Sequence, residues 1–310
     1  MQKLPVGIEN AGNTCFAGAL LQCLATVAIP STAIAKSLDA LDKLVVGVRN
    51  GRTRHGHAAM QLQTCLIREI YDADVGHQGQ QCPMQFFAAS CRKEGVLAES
   101  FNAEISEVLK CGTCNKSLSV PQHSSDNHIH MLKYDSSTRA STLTDLILEN
   151  IVSGRIEGYT PSAHATDPSK DRASPATQCE NTDGAFHVRY FSSALPQHLC
   201  FALASITGNT SLKNTRSFHP QHSMLLPELN AASPPNSHDT QNVEYYLLGT
   251  VVHSGSSAET GHFAAYVLRG GVWFFIDDEH ARPVLPHVVT RPPPHQTIYM
   301  LFYRRAQRVC

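Results

Sequence analysis

The sequence predicts an α+β fold, because its helical and strand-like segments are separated along the chain. The first hundred residues have the pattern of helices joined by short loops, and the first of these is an apolar helix that begins at Thr14 or Cys15 and ends at Pro30. After Glu244 the segments are instead rich in β-branched and aromatic residues, which is typical of strands. Helices followed by strands favour α+β over a fold in which the two alternate.

Each further element has its own signal in the sequence. Additional helices, bounded by turn residues, are predicted at Ser31–Val46, Ala58–Tyr71, Gln80–Cys91 and Leu143–Ile151. The last of them begins after Thr142, and Asp145 is placed to complete a capping box. Strands are predicted at Ile105–Leu109, His128–Tyr134, Tyr245–Ser254, His262–Arg269, Val272–Asp277 and Thr297–Arg304. The polar segment Thr160–Glu180 is predicted to be mobile, and Gly208–Asn242 to be a long loop around at most one short strand.

The composition excludes some classes of function. The 310 residues include 25 Lys and Arg against 26 Asp and Glu, a net charge of −1, whereas a nucleic-acid-binding protein should carry a basic surplus. The ten cysteines are irregularly spaced, unlike those of a disulfide scaffold. We therefore expect reduced thiols in a reducing compartment, the cytoplasm or the nucleus, and the sequence leaves delivery into another cell open.

The uncharged stretch from Asn10 to Ala35 could suggest a membrane span or a cleaved signal peptide. Its apolar part is shorter than the ~20 residues that a span requires, and Gln22 lies in its middle. Glu9 and the polar run that follows it do not fit a leader peptide. A buried helix is the preferred interpretation, and no membrane partner is expected.

A cysteine stands where a Gly- and Asn-rich loop enters the first helix. The segment Gly7-Ile-Glu-Asn-Ala-Gly-Asn-Thr-Cys15 places this thiol at the helix N-terminus, where unpaired N–H groups favour the thiolate over the thiol. The same N–H groups can bind an oxyanion, and the side-chain amide of Asn10 offers a further donor. Taken alone, the pattern also fits an inert cysteine at the start of a buried helix.

A second segment contains His262, whose position in a hairpin can be predicted. Gly270-Gly271 lies between two apolar runs and fits a two-residue turn, so His262 should face Glu279. Because side chains alternate along a strand, His262 then shares a face with Asp277, its diagonal neighbour, whereas Asp278 points to the other face. This register predicts a hydrogen bond that orients the imidazole as in a Cys-His-Asp triad, although a bulge would select Asp278. Taken alone, His262 also fits a histidine merely exposed on a strand.

Together, these two segments resemble the two signature boxes of the ubiquitin-specific protease family, which are papain-like cysteine isopeptidases. The first box is matched by Gly7, Ile8, Asn10, Gly12, Asn13, Thr14, Cys15, Phe16, Leu21 and Gln22. The second is matched by Tyr245–Gly255, Gly261–Tyr266, Trp273–Asp278 and Tyr299–Tyr303. The resemblance implies one catalytic domain over residues 1–310, with a helical thumb at about 5–100 and reduced fingers and a β-rich palm at about 101–310.

The resemblance also implies a role for each residue that matches a motif. Cys15 is the expected nucleophile, His262 the general base, Asp277 the acid that orients it, and Asn10 the side chain at the oxyanion hole. Gly261 implies a narrow cleft that suits a substrate tail ending in Gly-Gly.

The chain departs from the family pattern where substrate binding is expected. Gln81 and Cys82 lie in the stretch Gln80-Gln-Cys-Pro-Met-Gln-Phe86, where relatives have Gln-Gln-Asp-Ala-His-Glu-Phe. Cys82 replaces an aspartate that helps relatives to hold the basic tail of ubiquitin, and losing a carboxylate opposite an arginine could cost about 1.5–3 kcal/mol. Gly18 replaces the usual asparagine three residues after the nucleophile. These changes put the affinity and the identity of the modifier in question rather than the chemistry.

One half of the four-cysteine zinc site that is common in the family's fingers is recognisable. Cys111-Gly-Thr-Cys114 has the spacing of one ligand pair, whereas a structural zinc ion needs four ligands. No second such pair follows, and only Cys179 and scattered histidines remain. We expect metal-free fingers and no cofactor, with a Cys₃His site as the alternative.

The resulting expectation is a thiol-dependent deubiquitinase that cleaves isopeptide or peptide bonds after the C-terminal glycine of ubiquitin or a ubiquitin-like modifier. Its expected partners are that modifier and its conjugates, and the protein is expected to be a monomer. One alternative is an inactive relative that binds such a modifier, motivated by Gly18 and the altered Gln80 segment. Another is a Cys-His-Asp acyltransferase of the transglutaminase type, which the match across both boxes disfavours.

Overall fold

A computed structural model provides the coordinates of the chain. The residues that it describes are 5–27, 40–49, 81–91, 95–111, 122–134, 138–156, 185–191, 195–204, 219–228, 241–255 and 260–307. The predicted helix Ala58–Tyr71 and the polar segment Thr160–Glu180 lie outside these ranges.

The largest sheet of the described residues has eight strands. They are β3 (His130–Lys133), β6 (His198–Ala204), β7 (Ser223–Glu228), β8 (Gln241–Ser254), β9 (His262–Arg269), β10 (Val272–Asp277), β11 (His280–Val284) and β12 (Gln296–Arg305). Their order is β11-β10-β9-β8-β12-β6-β3, and β7 pairs with β8 beside this path. Strands β3 and β6 are parallel, and the other pairs are antiparallel.

A second, smaller sheet occupies the part of the chain where reduced fingers are expected. Its four strands are β1 (Ala103–Cys111), β2 (Gln122–Asn127), β4 (Val152–Ile156) and β5 (Ala185–Phe191). They are ordered β2-β1-β5-β4 and are antiparallel throughout.

Six helices accompany the two sheets within the described ranges. They are α1 (Cys15–Leu24), α2 (Ala40–Arg49), α3 (Pro83–Cys91), α4 (Val96–Phe101), α5 (Leu143–Ile151) and α6 (Pro286–Thr290). None of the helices that can be described has the length and apolar character needed to cross a membrane.

The hydrophobic core lies on both faces of the large sheet, because neighbouring residues of one strand point in opposite directions. On β9, Phe263 and Ala265 belong to a cluster with α1 to α4, whereas Ala264 and Tyr266 belong to a cluster with α5, β7 and α6. All ten residues of α1 are buried. The buried-helix interpretation of the uncharged stretch is therefore confirmed for α1.

Several predicted elements are confirmed with their boundaries. Strands β9 and β10 and helix α5 have the predicted bounds. At the start of α5, the backbone N–H groups of Asp145 and Thr142 donate to each other's side-chain oxygens, each over 3.1 Å. This reciprocal pair is the predicted capping box.

Other strands were not predicted from the sequence. Strands β2 and β4 are stabilised by pairing within the four-stranded sheet, which a local pattern does not reveal. Strand β5 does alternate apolar and polar residues, and its pattern is typical of a strand. Strand β11 contains Pro283, a residue that usually argues against a strand. Within the described residues, β11 is an edge strand that pairs with β10 alone, so Pro283 has no second neighbouring strand there to which it must donate.

Candidate active site

The loop before α1 is held by its own polar side chains. Asn10 Oδ1 accepts hydrogen bonds from the backbone N–H and the hydroxyl of Thr14, each over 3.1 Å, and Thr14 Oγ1 accepts the N–H of Ala11 over 2.9 Å. Gly12 and Asn13 both have positive φ, 77° and 55°, which Gly and Asn adopt more readily than other residues. The Gly-Asn pair of the first box therefore serves the turn that leads the chain into Cys15.

This loop lies directly against the turn that follows β10. The N–H of Ile8 donates to the carbonyl oxygen of Asp278 over 2.9 Å. A Cβ atom on Gly7 would lie 2.4 Å from the same oxygen, so only glycine allows this approach. The contact brings the N-terminus of α1 to the end of β10, where Asp277 lies.

The hairpin of β9 and β10 has the predicted register. Gly270 and Gly271 form the turn with φ of 54° and 82°, and pairing runs from Val272–Arg269 to Ile276–Ala265. His262 is the first residue of β9 and Asp277 the last of β10. The predicted hydrogen bond is present, because His262 Nε2 lies 2.5 Å from Asp277 Oδ1.

The thiol of Cys15 meets the imidazole of His262, to which it is hydrogen-bonded. This bond is the largest reason why the pKa of His262 rises from 6.5 to about 9, and Asp277 and the charge of Asp278 raise it further against the opposing effect of burial. Cys15 itself is only 4% exposed. A thiol at a helix N-terminus beside a protonated imidazole is suited to nucleophilic attack on a carbonyl.

The prediction that Asp278 points to the other face was wrong. Strand pairing ends at Ile276–Ala265, and Asp278 and Glu279 form the turn into β11, so His262 does not pair with Glu279. In this turn Asp278 has a φ of 50°, and its Oδ2 lies 3.8 Å from His262 Nε2. Alternation cannot be extrapolated past the end of a strand.

Asn10 lies beside this second carboxylate. Its Nδ2 donates to Asp278 Oδ2 over 3.1 Å, while its Oδ1 is held by Thr14. The side chain is thereby fixed at both ends between the nucleophile's loop and the acid's turn. An amide nitrogen carries two protons, so one remains for a further acceptor.

Gly261 precedes His262 at a closely packed position. Its φ is 153°, and a Cβ there would lie 2.2 Å from the carbonyl oxygen of Ser254 and 2.6 Å from Nε2 of His253. The ring of His253 is 2% exposed and lies 4.6 Å from that of Phe263. Gly261 is thus required by the buried histidine beneath it.

The expected binding segment lies near the same strands. Gln81 and Cys82 are half-buried ahead of α3, and Cys82 Sγ lies 2.9 Å from the hydroxyl of Tyr299 on β12. Burial is the main cause of a strongly raised pKa for this phenol, whose ring packs edge-on against Phe263 at 5.4 Å. Tyr299 therefore connects Cys82 to Phe263, the residue that follows His262.

Within the described residues, the potential metal ligands that lie within 4.8 Å of one another are those of His262, Asp277 and Asp278. Within this group His262 is hydrogen-bonded to Asp277, and Asp278 accepts a hydrogen bond from Asn10. Cys111 is buried at the end of β1, while Cys114 and Cys179 lie outside the described residues. The expectation of metal-free fingers stays a prediction.

Comparison with known proteins identifies the family. The sequence model of the ubiquitin carboxyl-terminal hydrolase family matches residues 80–303, which is more than half of the chain. The chain therefore belongs to this family, and the resemblance stated from the two boxes is confirmed.

Two curated relatives illustrate how far the similarity extends. Ubiquitin carboxyl-terminal hydrolase 23 of Arabidopsis thaliana is 24% identical over 340 residues, which cover 98% of this chain and 36% of the relative. Ubiquitin carboxyl-terminal hydrolase 10 of Mus musculus is 38% identical over 63 residues, or 20% of this chain and 8% of the relative. The chain thus spans about a third or less of the length of these relatives.

Solved structures share the fold. A chain of the SAGA Ubp8/Sgf11/Sus1/Sgf73 DUB module bound to ubiquitin aldehyde superposes with a TM-score of 0.69 at 17% identity, covering 97% of this chain and 70% of that one. The module bound to monoubiquitin gives 0.67 at 19% identity, with 97% and 69% covered. The α+β fold of papain-like deubiquitinases is confirmed.

Sequence reasoning missed two residues near the site. Asp278 was assigned to the wrong face, although an acidic residue after a strand end can equally enter a turn. Tyr299 belongs to the closing stretch of the second box without a predicted role, and its contact with Cys82 joins residues 217 positions apart. No local pattern signals such a contact.

Proposed function

We propose that the chain is a cysteine hydrolase that cleaves the bond after the C-terminal glycine of ubiquitin or a ubiquitin-like modifier. The observation that carries this proposal is the hydrogen-bonded series from Cys15 through His262 to Asp277 at the N-terminus of a buried helix. Membership of the ubiquitin carboxyl-terminal hydrolase family supports the choice of substrate.

The electrostatics favour an ion pair as the reactive form. With a pKa of about 9, the His262 imidazole can take the proton of Cys15 at neutral pH, and the sulfur then reacts as a thiolate. The thiolate attacks the carbonyl carbon of the scissile bond, and the imidazolium gives its proton to the leaving amine. The product is a thioester on Cys15 and a free amine.

Water completes the cycle. His262, now neutral, takes a proton from a water molecule that attacks the thioester, and the collapse of the intermediate releases the acid and restores the thiolate. Asp277 holds the imidazole ring in place through Nε2. We assign stabilisation of the oxyanion to the N–H groups at the start of α1 and to the second amide proton of Asn10.

Gln81, Cys82 and Gly261 are our proposed contacts for the substrate tail. Gly261 supports this assignment because it directly precedes His262 at the start of β9, so its backbone lies beside the proposed general base. Cys82 contributes a thiol directed at Tyr299 rather than a carboxylate. The tail's cationic groups would therefore find less negative charge here than in relatives.

We further propose that residues 1–310 form one catalytic domain, active as a monomer without metal or cofactor in a reducing compartment. Support comes from the large sheet, which carries both core clusters on its two faces. Every proposed catalytic group belongs to the same chain. None of the six cysteines that the structure describes is in a disulfide bond.

The test is a reaction with ubiquitin and related modifiers that carry a C-terminal electrophile, read by intact mass. We expect one adduct on the wild type, located by peptide mapping at Cys15, and none on Cys15→Ala. A wild type that binds ubiquitin without forming an adduct or cleaving a conjugate would instead be an inactive modifier-binding protein. Transfer of the acyl group to an amine without release of free acid would indicate the acyltransferase.

A further inference from the structure

Helix α1 has no charged residue of its own, yet the carbonyl groups at its C-terminal end all have donors. The carbonyl oxygens of Cys23 and Leu24 accept the N–H groups of Thr26 and Val27, each over 3.0 Å. The carbonyl oxygens of Gln22 and Ala25 accept the guanidinium of Arg269, from Nη2 over 3.0 Å and from Nη1. The end of the helix is thus closed by a side chain from a distant strand.

Arg269 is suited to this role by charge as well as by shape. The C-terminal end of a helix carries a partial negative charge, and the last turn of α1 contains no basic residue that could offset it. Burial lowers the pKa of Arg269 to about 10, so the guanidinium stays protonated at neutral pH. Its planar fork reaches two carbonyl oxygens at once, which a lysine ammonium does less well.

The position of Arg269 on β9 connects this contact to the active site. His262 begins β9 and Arg269 ends it, a separation of seven residues, or about 23 Å in a strand. Cys15 begins α1, whose ten residues extend for about 15 Å. The two elements run side by side in the same direction, and β9 contacts α1 at both ends, through His262 at Cys15 and through Arg269 at Gln22 and Ala25.

We propose that Arg269 is a positioning residue, which fixes α1 along β9 and thereby sets the placement of the Cys15 thiol relative to the His262 imidazole. The inference rests on the proposed function, since the contact matters only if Cys15 reacts. At the N-terminal end, Ile8 holds the loop that enters the helix against the turn after β10, whereas Gln22 Nε2, in the last turn of α1, donates to the carbonyl oxygen of Val6 over 2.8 Å. Without Arg269 the last turn of α1 keeps the Gln22 bond to Val6 but loses its side-chain hydrogen bonds from β9, along which it can then shift.

A small shift is enough to affect reactivity. Displacements of about 1 Å in a catalytic geometry can cost about a hundredfold in rate, whereas binding of the substrate tail elsewhere in the cleft need not change. Separation of Cys15 from His262 also weakens the ion pair, so the thiolate should require a higher pH. Both effects act through the nucleophile rather than through overall stability.

The experiment compares Arg269→Met and Arg269→Lys with a matched control, Arg49→Met. Arg49 Nη2 also donates to a carbonyl oxygen after α1, that of Val27, over 2.5 Å, but it lies on α2 and not on β9. For each full-length variant we would measure kcat and KM on a ubiquitin substrate with a C-terminal fluorogenic amide, and the pH dependence of Cys15 alkylation by iodoacetamide, quantified by peptide mass. Circular dichroism and the Tm report folding.

We expect Arg269→Met to lower kcat by about tenfold or more with KM within twofold, and to move the midpoint of alkylation upward by about half a pH unit or more. Arg269→Lys should lie between Arg269→Met and the wild type, because it keeps the charge without the fork. Arg49→Met should keep kcat within twofold even if its Tm falls.

The proposal is overturned if Arg269→Met keeps the wild-type kcat and alkylation curve, or if Arg49→Met loses as much kcat as Arg269→Met. Should Arg269→Met fail to fold, Arg269→Lys decides by the same two measurements. The alkylation curve also separates the two proposals. If the wild type cleaves no modifier but Arg269→Lys still shifts the curve, the positioning role stands while the proposed function fails.

Discussion

The two neighbouring aspartates at the end of β10 offer a matched pair of substitutions, Asp277→Asn and Asp278→Asn. Asp277 Oδ1 lies 2.5 Å from His262 Nε2, while Asp278 Oδ2 lies 3.8 Å away and accepts Asn10 instead. Each substitution removes one carboxylate at nearly unchanged volume. The difference between them therefore isolates the hydrogen bond to the imidazole.

The expected loss follows from the exposure and distance of the pair. A hydrogen bond to a charged group contributes about 1.5–3 kcal/mol, and the side chains of His262 and Asp277 are 35% and 46% exposed, so solvent screens part of their attraction. Adding the loss of orientation, we expect about 2–3 kcal/mol for Asp277→Asn, or about 30- to 150-fold in kcat/KM. For Asp278→Asn we expect less than about fivefold, since an amide oxygen can still accept Asn10.

The pH profile provides a second measurement. Asp277 is one of the groups that raise the pKa of His262 to about 9, so its loss should lower that pKa and move the alkaline limb of kcat/KM to lower pH. Steady-state kinetics on a ubiquitin amide between pH 6 and about 10 would record both effects. A loss in Asp278→Asn equal to or larger than that in Asp277→Asn would refute the assignment of Asp277 as the orienting acid.

Four further outcomes are expected. Cys15→Ala should abolish cleavage and probe labelling with an unchanged circular dichroism spectrum, and persistent labelling would place the nucleophile elsewhere. The purified protein should contain well below one zinc per chain, and a chelator should leave its Tm unchanged; stoichiometric zinc would mean that Cys111-x-x-Cys114 has found further ligands. Cys82→Asp should lower KM for ubiquitin substrates by about fivefold, since a half-exposed ion pair contributes about 1 kcal/mol, and added salt should reduce the gain. An unchanged or higher KM would mean that another acid supplies the charge or that the modifier is not ubiquitin. Burial lowers the pKa of His198 from 6.5 to about 4. The contribution of this neutral histidine to the free energy of unfolding is therefore fully present above pH 6.5 and is lost as the pH falls toward 4. Between pH 6.5 and pH 5 this histidine should account for about 2 kcal/mol, and urea unfolding of His198→Gln should show a correspondingly flatter pH dependence; an equally steep loss in the variant would assign the effect to other groups.

In the signature boxes, the local sequence was sufficient to predict the start of α1 at Cys15 and the register of β9 and β10. The Gly-Gly pair fixed the register of β9 and β10, because both residues adopt the positive φ of a two-residue turn. That register in turn placed Asp277 beside His262. The start of α1 followed from the Gly- and Asn-rich loop ahead of Cys15, and the capping box of α5 followed from Thr142 and Asp145.

Strands β2 and β4 of the smaller sheet and the turn at Asp278 could not be obtained in the same way. Strands β2 and β4 have no clear alternation, whereas β5 alternates apolar and polar residues, a pattern that could have predicted it. Asp278 follows the last paired residue of β10, and its left-handed φ of 50° is decided by the chain's immediate return as β11. Side chains alternate between the two faces of a sheet only as far as the strand extends, so alternation does not predict the orientation of a turn residue.

The contact between the two boxes is the part of the site that the sequence predicts least and that only the structure shows. Backbone groups make much of it, as when the N–H of Ile8 meets the carbonyl oxygen of Asp278, and such a bond leaves no mark on residue type. Gly7 is the exception, because any side chain there would collide with that carbonyl. The conspicuous glycines of such a motif therefore need not touch substrate. Gly7 is explained by the need to bring the loop of the nucleophile against the turn that follows Asp277. In the same way, Arg269 need not touch substrate to matter, because its contact with the end of α1 helps to determine where Cys15 lies.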